Sequence, residues 1–80
     1  MKTEMNLYII ADVLSDYTSG MVVIAAPTLE RCREIFIAKL GRDWEPTIEE
    51  YDHAIEAGSY KVLQVVGQEE GIVDYVYGGG

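Results

Sequence analysis

Pro27 is the feature that most constrains this chain, because the hydrophobic pattern changes period across it. Before it, residues 21–26 (MVVIAA) form a continuous β-favouring run. Proline has no amide proton to donate, so it ends a strand ladder. After it, Thr28 is a suitable helix N-cap. Leu29, Cys32, Phe36 and Leu40 then fall on one stripe, with Ile35 and Ile37 beside it. A strand running directly into a helix is therefore expected, with Gly41 as the stop.

The rest of the chain is read outward from that junction. Residues 5–11 (MNLYIIA) have strand composition, and residues 12–20 (DVLSDYTSG) hold the residues that turn chains. A long-looped hairpin with residues 21–26 follows. Pro46 is expected to hold Glu45 out of helix geometry. Thr47-Ile48-Glu49-Glu50 matches a capping box, and Ile48, Tyr51 and Ile55 make an apolar stripe, predicting a short helix over 48–57, with an irregular, partly extended segment as the alternative. Residues 60–66 (YKVLQVV) and 72–77 (IVDYVY) read as two more strands joined by the turn GQEEG. The expectation is an α+β domain of order β-β-α-(α)-β-β, a mainly antiparallel four-stranded sheet with one long and one short helix. Terminal hairpins are expected at both ends, residues 1–77 form one domain, and Gly78–Gly80 form a flexible tail.

Eighty residues with one cysteine leave no scope for an internal disulfide. With no secretory pattern at the start, a cytoplasmic location is expected. The longest apolar run is far short of a membrane span, so no membrane partner is expected. Catalysis finds little support. Cys32 lies on the buried stripe, His53 is the only histidine, and neither belongs to a metal-ligand spacing. No enzyme activity, metal or cofactor is expected.

Charge is more informative. The net charge is −8, and residues 43–80 carry Lys61 alone against nine carboxylates. Residues 28–42 carry a net +2. Direct nucleic-acid binding is disfavoured, since phosphates need clustered lysine and arginine. On the expected second helix Glu49, Asp52, His53 and Glu56 share a face, with Glu45 and Glu50 close by. Glu45, Glu49, Glu50, Asp52 and Glu56 span roughly 18 Å, about one charge per 3.6 Å. One DNA strand offers a phosphate about every 3.4 Å. This acidic stripe, with Tyr51 and Tyr8 adding apolar area, is the candidate contact surface for a basic protein partner. Both sheet faces also carry large side chains, and six tyrosines in the chain fit either ordinary strand packing or a tyrosine-bearing face used for partner binding or self-assembly, as in a homodimer. A binder of small nucleotides is the third expectation, resting on Arg31, Arg33 or Arg42.

The opening MNLYIIAD, the run MVVIAAPTLERCREIF and the closing GIVDYVYGGG resemble small accessory proteins of bacteriophages and prophages. The resemblance covers roughly residues 5–36 and 60–80 and lies in layout. It implies a phage context, in which small acidic domains inhibit host defence as anti-CRISPR proteins do. The implied function is inhibition of a nucleic-acid-handling host complex by protein–protein binding, with nucleic-acid mimicry as one route.

Overall fold

The computed structural model describes residues 4–14, 20–41 and 45–76. The turn residues 15–19, Arg42, Tyr77 and the expected Gly78–Gly80 tail lie outside the described residues. The element order is β1 (Glu4–Val13), β2 (Gly20–Ala26), α1 (Leu29–Phe36), a π-helical turn (Ile37–Gly41), α2 (Glu45–Glu56), β3 (Tyr60–Val66) and β4 (Gly71–Val76). The four strands form one antiparallel sheet in the order β3-β1-β2-β4. The fold is α+β, as the sequence predicts.

Its topology departs from expectation in one respect. β3 and β4 do not form a hairpin: β3 pairs with β1 and β4 with β2, on opposite edges of the sheet. Residues 67–70 cross beneath the open end of the β1–β2 hairpin. Three inter-strand spacings are roughly 14 Å, and five extended steps reach about 17 Å, so the link suffices. Gly67, at φ +84°, turns the chain out of β3. Arg31 holds the link to α1 by donating from Nε and Nη2 to Glu70 Oε1 at 3.1 and 3.0 Å.

The strand-to-helix junction forms as expected. Thr28 is extended, and its hydroxyl oxygen accepts from the Arg31 amide at 3.1 Å. Cys32, Ile35 and Phe36 bury the inner stripe. Gly41 serves packing more than conformation. A Cβ there would meet Ile48 Cγ1 at 3.0 Å, so its hydrogen lets α2 approach.

α2 starts three residues earlier than the sequence predicts. Pro46 is its second residue, where first-turn amides have no intrahelical acceptor and a missing proton costs nothing. Thr47 therefore lies inside the helix, and the expected capping box does not form. The helix ends in a Schellman motif: Gly58, at φ +77°, donates to Ile55 O and Ser59 to Ala54 O.

Both helices pack on one side of the sheet. Tyr8, Ile10, Val22 and Ile24 from the strands meet Cys32, Phe36, Tyr51 and Ala54 from the helices. Phe36 and Tyr51 stack with ring centroids 4.4 Å apart, and the Tyr51 hydroxyl donates to Cys32 Sγ at 3.3 Å. Asn6 Nδ2 supplies the Tyr8 hydroxyl at 3.3 Å and also donates to Pro27 O. No buried side-chain nitrogen or oxygen among the described residues lacks a partner.

Candidate functional site

Two surfaces remain once the core is accounted for: the outer side of α2 and the uncovered face of the sheet. On α2, the helical period turns Tyr51 and Ala54 inward and leaves Glu45, Glu49, His53 and Glu56 exposed. Glu50 is half-buried. Asp52 is committed to α1, accepting from Arg33 Nε at 2.7 Å and Nη2 at 2.9 Å in a bidentate pair. The Arg33 hydrogen bond holds the Asp52 carboxyl below its ordinary range, and the same pair raises Arg33.

The expected ridge of five carboxylates is thereby thinned. Glu45, Glu49 and Glu56 are the exposed members with no cationic partner among the described residues. They span roughly 17 Å, about one charge per 6 Å, sparser than the phosphates of a strand at about 3.4 Å. The charge-density match to nucleic acid is weakened, with Asp52 paired to Arg33 and Glu50 half-buried.

Tyr8 and Tyr51, expected to add apolar contact area, are core residues with 5% and 1% of their surface exposed. Burial raises the Tyr51 hydroxyl above its usual range and raises the Cys32 thiol despite the hydrogen bond from Tyr51. Cys32 is fully buried, as the stripe implies.

The groove between α1 and α2, about 380 Å³, is lined by Leu29, Glu30, Arg33, Tyr51, Asp52, Ile55 and Glu56. Three carboxylates and one already paired arginine make it a poor seat for a phosphate. Arg31 is likewise engaged by Glu70 and Glu34. Among the described residues no cluster of His, Cys, Asp or Glu is placed to hold a metal ion. No described helix is long and apolar enough to cross a membrane.

The second surface lies on the other side of the sheet. Side chains alternate across a strand, and register carries each face from strand to strand. Ile9 pairs with Val23 and Lys61, Leu7 with Ala25 and Leu63, and Ala11 with Met21. These positions share the face opposite the helices. It is largely aliphatic and neither helix packs on it, although Met5 and Ala25 within it are buried. Leu63 is 52% exposed and Val76 56%, with Leu7, Ile9, Val23 and Val65 half-buried. No family model, curated protein or solved structure matches this chain.

The tyrosine-bearing face expected to mediate self-association is the other one. Tyr8, Tyr60 and Tyr75 all lie on the helix side, paired with Ile24, Ile10 and Val22 respectively. Strict alternation in β4 separates Ile72 from Tyr75. A bulge between Val23 and Ile24 inserts Val73 and returns both to one face. Sequence reasoning also passed over Lys61, Leu63 and Asp74. The alternation of Lys61, Leu63 and Val65 gives their shared face, but only the strand order makes them edge positions of an uncovered one.

Proposed function

We propose that this protein is a non-catalytic binding module that engages another protein through the uncovered aliphatic face of its sheet. The exposure of that face, against which neither helix packs, carries the reading; on the helix side the centre is covered by α1 and α2, while Val62, Val66 and Tyr75 toward the edges stay exposed. Four strands about 4.8 Å apart and some six residues long give a patch of roughly 19 by 20 Å, or about 380 Å². The largest apolar patch on a soluble monomer is of about this size, roughly 300–600 Å², and is often functional. At ~25 cal/mol per Å² its covering is worth at most about 9 kcal/mol, before the cost of association, since the footprint includes Lys61, Asp74 and the buried Ala25. Three exposed carboxylates contribute about 0.2–1 kcal/mol each. The apolar face therefore supplies affinity, and the charges steer.

A second reading rests on Glu45, Glu49 and Glu56. They form an acidic edge on the far side of the molecule from the aliphatic face, suited to a basic partner surface. This is the phage-type inhibitor reading, in which the module blocks a host complex that handles nucleic acid. With Asp52 paired, it rests on steering toward a basic surface and not on imitation of a phosphate backbone.

Affinity capture from a bacterial lysate at low and high salt separates the two. The sheet-face reading expects bound protein to persist at high salt and to be lost with Leu63→Glu, whose far-UV spectrum should match the parent. The acidic reading expects loss at high salt and with Glu49→Lys/Glu56→Lys. Capture unchanged by Leu63→Glu refutes the sheet-face reading.

A further inference from the structure

We infer that the partner covering the aliphatic face is a second copy of this chain, related by a two-fold axis running parallel to the strands between two facing sheets. The inference rests on the reading of that face as a docking surface and adds the identity of its occupant. The register divides the face into rows that run across the sheet from β3 to β4. One row reads Leu63, Leu7, Ala25, Gly71, bulky at the β3 edge and empty at the β4 edge. The next reads Lys61, Ile9, Val23, Asp74, with opposite charges at its two ends. In the third, Ser59, whose carbonyl takes the Ala11 amide, is followed by Ala11, Met21 and Val76, so bulk lies at the β4 edge.

A two-fold axis parallel to the strands keeps each row facing itself and reverses its direction. Leu63 of one copy then lies over Gly71 of the other, where the space above the glycine is open. Met21 meets Ala11 and Val76 meets Ser59, large against small, while Leu7 lies over the buried Ala25 and Ile9 meets Val23. Lys61 meets Asp74 twice, once at each edge. The alternative two-fold axis, perpendicular to the strands, also sets large residues over small ones but stacks Lys61 on Lys61 and Asp74 on Asp74. Charge selects between them. The crossing of about 30° usual for aligned sheets offsets the edges by roughly one residue, within reach of a lysine stem.

Two copies cover about 760 Å² in projection, below the ~1,200–2,000 Å² of tight complexes. The dimer is therefore weak. An isologous face of this kind closes on itself and does not propagate into fibres.

Sedimentation equilibrium over a concentration series tests this with the full chain, Lys61→Asp, Asp74→Lys, the double exchange, and Leu63→Glu. The parent should dimerise, each single exchange should weaken dimerisation about tenfold because both edge pairs turn repulsive, and the double exchange should restore it. A dimer lost with Leu63→Glu yet indifferent to the charge exchanges overturns the proposed axis and keeps the docking face. A dimer that survives Leu63→Glu, through edge pairing of β3 for instance, overturns both. A strict monomer at the highest concentration overturns the second copy alone, and the lysate capture then decides the docking face independently.

Discussion

Replacing Tyr51 with alanine and, separately, with phenylalanine distinguishes a core residue from a contact residue. The ring is 1% exposed, stacks on Phe36 at 4.4 Å, and belongs to the cluster joining α2 to β1 and β2. A buried aromatic removes about 150–250 Å² from water, worth roughly 4–6 kcal/mol at ~25 cal/mol per Å². Truncations of this kind cost about 3–5 kcal/mol in practice, and the stacked pair adds about 0.5–1.5 kcal/mol. Tyr51→Ala should therefore remove about 4 kcal/mol from a domain whose total is on the order of 4–12 kcal/mol. Tyr51→Phe loses only the hydroxyl bond to Cys32 Sγ, a weak acceptor, and should cost below about 1 kcal/mol. Urea unfolding followed by far-UV circular dichroism reads both. A Tyr51→Ala loss below about 1 kcal/mol refutes the packing account, and a phenylalanine variant as unstable as the alanine one shifts the weight from ring to hydroxyl.

Cys32 is fully enclosed and its thiol is pushed upward by burial, so a thiol reagent should label the native protein only as fast as it opens. Rapid labelling under native conditions would contradict the placement of Cys32 between α1 and Tyr51. Asp52→Asn should cost below about 1 kcal/mol at neutral pH, since both partners of the Arg33 pair are nearly half exposed. The folded-state pKa of Asp52 is lowered, so its contribution is full above the ordinary value of 3.8 and is lost as pH falls through the lower folded value. Urea titrations at neutral and strongly acidic pH should show the difference between variant and parent disappearing in acid. A difference that persists there would remove the ion pair as its cause.

Local chemistry made much of this fold legible in the chain. The change of period at Pro27, the Thr28 cap and the Leu29-Cys32-Phe36-Leu40 stripe specify a strand–helix junction, because each depends on neighbours within one turn. The positions and composition of the four strands follow for the same reason. Pro46 was misleading as a breaker because its effect depends on where in the helix it stands, and a boundary is a cooperative property of the whole segment.

The candidate sites depended on longer-range facts. That Glu45, Glu49 and Glu56 are acidic and share a helical face is written in their spacing. That Asp52 leaves that group is decided by Arg33, which lies 19 residues earlier and meets it only when α1 and α2 pack. The opposite faces taken by Tyr8 and Ile9 are a property of any strand, but which face meets water depends on both helices choosing the same side. The rows that pair Leu63 with Gly71 and Lys61 with Asp74 at opposite edges exist only because β3 and β4 dock on different strands. Propensity and alternation act over a few residues and so are carried by the sequence. Strand order, the bulge at Val73 and the uncovered face arise from contacts between distant segments, and only the folded chain brings these together.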